Sequence, residues 1–232
     1  MDKDFTLEEI SDSIQDLWSR LTENQQIVLA ESISIRHCRK NEKIYSEHEE
    51  PKWLYCIMEG QVKIYRDGVG GRSQIMHMVK RGEYFGYRAY FAKERFVTTA
   101  SAFETTTLCA IPMEVIAQMV LENNELAMFF IRNLSLDLGK SDQRTVNLTQ
   151  KHIRGRLAES LLFLKDSYGL ESDGATIGIY LSREDLANLS NMTTANAIRT
   201  LSNFAQEHII AIDGRKIKIL NEEALRKVDR MG

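Results

Sequence analysis

The residues of this chain best placed to act on a macromolecule lie between Leu181 and Phe204, in L-S-R-E-D-L-A-N-L-S-N-M-T-T-A-N-A-I-R-T-L-S-N-F. An arginine such as Arg199 grips two guanine acceptors at once, or a phosphate. Thr194, Ala195, Asn196, Ser202 and Asn203 surround it with small or short polar side chains. A helical face of that kind suits a DNA major groove. The spacing predicts two short helices joined by a tight turn, a helix-turn-helix. Ser182 is placed to cap the first helix, with Asp185 at capping-box spacing, and Leu181 and Leu186 have the spacing of a hydrophobic staple. Leu186, Ala187 and Leu189 form its apolar side, and Ser190 and Asn191 interrupt it. Thr193 caps the second helix, whose apolar positions are expected to be Ala197, Ile198, Leu201 and Phe204. Paired amphipathic helices also occur in ordinary helical domains. The next dozen residues favour DNA. Ile209 to Ile212 alternate into Asp213-Gly214, a two-residue hairpin signal, and R-K-I-K-I-L returns as a second strand. Such a hairpin makes the unit winged, with Arg215, Lys216 and Lys218 at or beside the tip, where phosphates can be met.

Other elements must position this unit. A helix over Ile153 to Tyr168, with Leu157, Leu161, Leu162 and Leu164, supports it. Thr176 to Leu181 reads as a short strand, and Glu222 to Gly232 as a short exposed helix. At the other end, Leu7 to Ser32 has helical spacing through Ile10, Ile14, Leu17, Trp18, Leu21 and Ile27 to Leu29. From Ile33 to Ile111 the period changes to two, in short segments rich in β-branched and aromatic residues. Turn signals separate them at Glu59-Gly60, at Asp67-Gly68 with Gly70-Gly71, and at Lys80-Arg81-Gly82. This pattern indicates a β-sandwich or barrel. Within it, G-E-Y-F-G-Y-R-A-Y-F-A-K-E-R-F-V places Arg88 and Arg95 after two glycines. Such a turn can aim backbone N–H groups and an arginine at an anion; it can equally be a plain hairpin with two solvated arginines.

Pro112 opens a long helical pattern from Met113 to about Asn147, with Leu126, Phe129, Phe130, Leu134 and Leu138 at steps of three and four. About 35 residues would span about 50 Å, too long to bury in one small domain. Its apolar stripe is therefore expected to pair with a second copy about a two-fold axis. The expected organisation is residues 1–112 as helices and a β-roll, 113–147 as the long helix, 148–152 as a hinge and 153–232 as the winged helix-turn-helix. The fold class is α+β.

Composition bounds the rest. The 232 residues are 43% hydrophobic, enough for a full core. No apolar run approaches the roughly 18 residues of a membrane span, and no basic-then-apolar leader opens the chain. A cytoplasmic protein without membrane contact is expected. Cys38, Cys56 and Cys109 are widely spaced and suit buried roles in a reducing compartment, not a disulfide frame or zinc site. The net charge is −3, and from Gln150 on 12 lysines and arginines face 11 aspartates and glutamates, a balance of +1 against −4 for the remainder. This contrast suits focused contact with a nucleic acid better than a general coat.

G-E-Y-F-G in the roll, R-G-R-L-A-E-S-L-L after the hinge and the helix-turn-helix together resemble the cyclic-AMP receptor protein/FNR (CRP/FNR) family over nearly the whole chain. The resemblance implies a homodimeric transcription factor with an N-terminal cyclic-nucleotide-binding-like roll (a double-stranded jelly roll), a long dimerisation helix and a C-terminal winged helix-turn-helix. An effector or redox signal in the roll would reposition the DNA-binding domains. Double-stranded DNA with a near-palindromic site, a second copy and RNA polymerase are the implied partners. By this likeness Arg199 contacts DNA, Thr194 and Ala195 occupy the other base-reading places, and Ser182, Arg183 and Thr193 match phosphate-contacting positions. Thr194 and Ala195 replace the Arg and Glu of the cyclic-AMP receptor protein, so a different operator is expected.

The effector positions depart further. Tyr87, after Gly86, stands where a cyclic-nucleotide site has its ribose-binding Glu; Arg95-Phe96 replaces an Arg-Ser pair before Val97; Ser141-Asp142 replaces the adenine-contacting Thr-Ser pair. Only Arg95 survives. Each lost hydrogen bond is worth roughly 0.5–1.5 kcal/mol, so cyclic AMP is not expected to bind usefully. An anion or another small ligand remains open to Arg88 and Arg95. No cysteine precedes Cys38, so an iron–sulfur cluster is not expected either, and nothing marks His37, His48 or His77 as haem ligands. The effector is thus unassigned. The roll also occurs in kinase regulatory subunits and channels, so a ligand-binding module whose winged domain contacts protein is the alternative. A cupin-like metal enzyme would need a compact His/Glu set such as H-x-H, and none is present, nor a catalytic triad or carboxylate pair. No enzyme is expected.

Overall fold

The structure is a computed structural model and describes residues 5–68 and 73–232. The expected turn at Gly70-Gly71 lies outside the described residues. The chain divides into two compact units, Met1–Asp67 with Met76–Gly139, and Gly68–Ile75 with Lys140–Gly232.

Three helices open the first unit: α1 (Leu7–Ser13), α2 (Gln15–Trp18) and α3 (Glu23–Ser32). Thr6 and Thr22 close capping boxes with Glu9 and Gln25, which satisfies orphan N–H groups at both helix starts. Ile14, Leu17 and Leu29 are buried. Ile27 and Val28 are 59% and 49% exposed, so α3 offers the core only a narrow stripe where the sequence suggests a broad one.

The roll is built from β1 (Ser34–Cys38), β2 (Lys43–Tyr45), β3 (Trp53–Glu59), β4 (Val62–Asp67), β5 (Ser73–Val79), β6 (Tyr84–Phe85), the short helix α4 (Tyr87–Phe91), β7 (Thr99–Ala102) and β8 (Thr106–Pro112). Two four-stranded sheets result, ordered β1-β8-β3-β6 and β2-β7-β4-β5. The first sheet is covered on both faces. Tyr55, Ile57, Leu108 and Ala110 point into the roll, while Leu54, Cys56, Met58, Cys109 and Ile111 point to the helices. This explains the unbroken apolar run W-L-Y-C-I-M, because a strand buried on both faces does not alternate. Burial pushes the thiols of Cys56 and Cys109 up, in keeping with inert core cysteines. Gly86 takes φ +96°, and a Cβ there would lie 2.6 Å from the Trp53 carbonyl oxygen, so only glycine fits this corner.

The single helix expected over 113–147 is two helices, α5 (Met113–Glu122) and α6 (Asn124–Gln150). Asn123 makes the break, with extended backbone at φ −131° and ψ 102°. Its Oδ1 accepts from the Leu126 N–H at 3.1 Å, while its Nδ2 donates to the Arg20 carbonyl and to Gln25 Oε1, both at 2.8 Å. A side chain that caps the new helix and satisfies the end of the earlier layer outweighs continuation. The stripe also divides. Leu126, Phe129 and Phe130 are buried in the unit's own core and Leu134 packs on its margin, while Leu138 is 63% exposed. Nor does the helix stop near Asn147. It runs to Gln150, so only Lys151 and His152 separate it from the next helix. Loss of the apolar stripe there marks loss of burial, since T-V-N-L-T-Q remains compatible with a helix.

The second unit contains α7 (Ile153–Tyr168), α8 (Arg183–Leu189), α9 (Thr194–Gln206), β9 (Ile210–Asp213), β10 (Lys216–Ile219) and α10 (Glu222–Met231). Leu157, Leu161, Leu162 and Leu164 of α7 are buried as expected. Thr176 to Leu181 is not a strand; it holds isolated bridges from Ile177 to Leu170 and from Thr176 to Lys218, with Ile177, Ile179 and Leu181 buried. The tail is not an exposed helix. Leu225 is fully buried, Glu222 pairs with Lys165 at 2.7 Å, and Asp229 pairs with Lys151.

Candidate nucleic-acid interface

The helix-turn-helix forms where the spacing places it. Ser182 caps α8, accepting from the Asp185 N–H at 3.0 Å, and its hydroxyl donates to Asp185 Oδ2 at 2.7 Å. Leu181 and Leu186 are both buried, as a staple requires. Asn191 takes φ +48° in the turn, a left-handed place that asparagine tolerates. Thr193 then caps α9 by accepting from the Asn196 N–H at 3.2 Å. Thr193→Ala is expected to lower the stability of this unit by about 1 kcal/mol, measured as a fall in its denaturant midpoint.

Ala197, Leu201 and Phe204 anchor α9 in the core, joined by Thr200, a buried residue that its polar type conceals in the sequence. Ile198 is a correction in the other direction. Expected on the apolar side, it is 48% exposed. It follows Thr194 by four residues and Ala195 by three, so it shares their face. Thr194, Ala195, Ile198, Arg199 and Ser202 are all exposed and make one continuous outer surface. Asn196 Oδ1 accepts a hydrogen bond from Arg199 Nη2, which fixes the guanidinium on that surface. The other end of α9 is tied down by Arg154, which pairs with Glu207 through two bonds of 2.8 Å and lies 5.0 Å over the Phe204 ring. That fork is the specific role of the first arginine in R-G-R-L-A-E-S-L-L. Ser160 of α7 and Ser190 at the end of α8 share a buried hydroxyl contact of 2.8 Å, which fixes the turn from behind.

The wing is present but its turn differs by one residue from Asp213-Gly214. Asp213 pairs with Lys216, so Gly214 and Arg215 form the two-residue loop. Gly214 has φ +56° in the first loop place, where a II′ hairpin turn puts glycine. The wing cations fare differently. Lys216 lies 3.5 Å from Glu171 and 5.2 Å over the Tyr180 ring, and Lys218 lies 3.2 Å from Asp173. Arg183 donates from Nη2 to the Gly214 carbonyl at 2.7 Å. The Arg215 side chain is exposed and has no ion pair or hydrogen bond among the described residues. Asp173 accepts from the N–H groups of Thr176 and Ala175 and from the Thr176 hydroxyl, which with Lys218 hold its carboxyl well below the usual range. A carboxylate depressed on folding contributes stability above its unfolded pKa and loses it as pH falls through the folded value. The Asp173 tether is therefore expected to persist throughout the neutral and mildly acidic range. Asp173→Asn should weaken it at neutral pH, seen as faster amide exchange at Thr176.

In the roll, the positions assigned to an effector fall on aromatic packing and on surface ion pairs. Phe96 is buried and stacks on Tyr45 with ring centroids 3.7 Å apart, while Tyr55 and Phe85 fill the space beside them. Burial pushes the Tyr45 hydroxyl up to about 12. Tyr87, after Gly86, is buried with its ring 5.2 Å from that of Phe130. Arg88 and Arg95 face outward, Arg88 pairing with Glu94 at 3.3 Å and Arg95 with Glu50 at 3.6 Å, and Val97 is 42% exposed. Ser141 and Asp142 are exposed positions on α6. His37 meets Thr107 at 3.1 Å, and His37, His48 and His77 are all surface residues. Among the described residues no three His, Cys, Asp or Glu side chains group as metal ligands, and no helix is long and apolar enough to cross a membrane.

Comparison with known proteins agrees with this arrangement. Residues 35–123 match the family described as a cyclic nucleotide-binding domain, and residues 155–228 match the Crp-like helix-turn-helix domain. A global nitrogen regulator of Synechococcus elongatus is 24% identical over 196 residues, covering 83% of this chain and 88% of its own length. The anaerobic regulatory protein of Bacillus subtilis is 27% identical over 188 residues, covering 80% and 79%. The fold matches that of FixK2 from Bradyrhizobium japonicum with a TM-score of 0.77 at 22% identity, covering 85% of this chain and 97% of that one. A putative transcriptional regulator from Eubacterium rectale matches with a TM-score of 0.78 at 19% identity, covering 92% and 97%.

Proposed function

We propose that this chain, which belongs to the CRP/FNR family of transcription regulators, acts in the cytoplasm as a homodimer whose two α9 helices read a near-palindromic duplex. The observation that carries this reading is the outer face of α9, where Arg199, held by Asn196, stands among Thr194, Ala195 and Ile198. Arginine grips guanine O6 and N7, and the apolar side chains suit thymine methyl groups. Small residues at the first positions allow a close approach to base edges. Thr193 and Ser182, at the starts of α9 and α8, lie where backbone N–H groups and hydroxyls meet phosphates. In a two-fold dimer the reading helices enter successive major grooves about 34 Å apart.

The second copy is supported by α6. Met128, Ile131 and Leu138 are 58%, 52% and 63% exposed, and with Ser135 they follow steps of three, four and three. That is the spacing of a coiled-coil seam. The regulator is a binder with no catalytic part. Its roll interior is filled by Tyr45, Tyr55, Phe85 and Phe96, so an effector must displace that stack or act elsewhere on the roll. Cyclic AMP is expected to leave the operator Kd unchanged in a fluorescence-anisotropy titration; a clear tightening would assign it as the effector after all.

The reading is tested by incubating the purified chain with sheared genomic DNA of its source, then recovering and sequencing the bound fragments. A shared inverted repeat is expected. Fragments with no common sequence, combined with salt dependence alone governing recovery, would overturn it in favour of a winged domain that serves protein contacts.

A further inference from the structure

We propose that Arg183 positions the wing and does not itself grip DNA, so that phosphate contact at the wing falls to Arg215. This goes beyond the DNA-reading function and rests on it for the part played by Arg215. Arg183 is the first residue of α8, directly after the Ser182 cap. Its Nη2 donates to the carbonyl of Gly214, the first residue of the hairpin loop, at 2.7 Å. Its Nη1 is sealed from solvent and has no hydrogen-bond partner among the described residues. With Nη2 donating to the Gly214 carbonyl and Nη1 sealed, the end-on Nη1/Nη2 fork is closed to a phosphate until the wing is released.

The rest of the wing agrees. Gly214 turns at φ +56°, a conformation open to glycine, and its carbonyl is the one Arg183 holds. On the flanks Lys216 is engaged by Glu171 and the Tyr180 ring, and Lys218 by Asp173. Arg215, between the tethers, is exposed and has no ion pair or hydrogen bond among the described residues. The tip is thus fastened to the start of the helix-turn-helix, and one cation is presented from a fixed place. Ordering the hairpin before DNA arrives lowers the cost of binding, as preorganisation does generally.

Two measurements test this, and the first needs no DNA. Arg183→Met keeps the aliphatic stem and removes the donor. Trypsin acting on the free, full-length variant should cut at Arg215 and Lys216 severalfold faster than in the parent, with no acceleration at Arg199 in α9. A parental rate at the tip, or equal acceleration at Arg199, overturns the positioning role whatever the protein binds. The second is the slope of log affinity against log salt on duplex DNA. Each phosphate contact contributes about 0.9 to that slope. Arg215→Ala should lose about 0.9, and Arg183→Met combined with Arg215→Ala should lose no more. A combined loss of about 1.8 would show that Arg183 holds a phosphate of its own and would overturn the assignment.

Discussion

Replacing Ile131 and Leu138 by glutamate is expected to convert the protein to a monomer and to lower its affinity for a two-fold site by about 10²–10⁴, the gain that linking two reading modules supplies. The two side chains are 52% and 63% exposed, so the single chain's own core stays in place and the unfolding midpoint should fall only by what dimerisation contributes. Four carboxylates facing one another across a two-fold seam repel, and each replaces apolar surface that association would bury. Sedimentation velocity reads the oligomeric state and anisotropy the affinity, on the same preparation. Leu126, Phe129 and Phe130 would be the wrong residues to change, because they are buried within the chain's own first unit and their loss would confuse folding with association. A double variant that sediments as a dimer and binds as the parent does would remove α6 from the interface.

Arg199→Ala is expected to weaken binding to the specific site by about 1–3 kcal/mol, roughly 5–150-fold, and to relax sequence preference at one position of each half-site. The arginine is exposed and contributes no burial, so the fold should be untouched. Its partner Asn196 matters in a secondary way. The Asn196 Oδ1 contact restrains the guanidinium before DNA arrives, so Asn196→Ala should cost less than Arg199→Ala and leave the preferred sequence unchanged. Uniform weakening on all sequences, with the salt slope reduced by about one, would instead make Arg199 a phosphate contact. Unchanged binding would contradict its part in recognition altogether.

Much of this is legible in the residues because local signals and burial agree. Ser182 and Thr193 mark helix starts by the chemistry of capping, and both cap as expected. The strands of the roll announce themselves by β-branched and aromatic runs between glycine turns. Where sequence and structure part, a tertiary contact decides the matter. Asn123 looks like a neutral interior residue of one long helix; only the Arg20 carbonyl and Gln25, about a hundred residues away in sequence, make it a helix break. Ile198 carries an apolar side chain that suggests the core, yet its angular position puts it with Ala195 on the open face. On the proposed reading, an apolar residue at this place is explained by the DNA it would meet, which no periodicity records. The hairpin loop shifts by one residue because Asp213 pairs with Lys216, and the tail is docked by Leu225 and a pair of salt bridges whose partners lie far off in sequence. In the roll, Arg88 and Arg95 stand out by type, while their directions are set by Glu94 and Glu50.

The central claim, that two copies of α9 read DNA sequence together, is tested most directly by selection from a random duplex library at about 0.15 M salt, where non-specific attraction is partly screened. A motif with two inverted half-sites whose centres lie about one helical turn apart is predicted, with guanine at a fixed position in each half-site that Arg199→Ala no longer selects. Recovery of a single unpaired half-site, or of no motif either with or without an extract of the source cells to supply an effector, would contradict it.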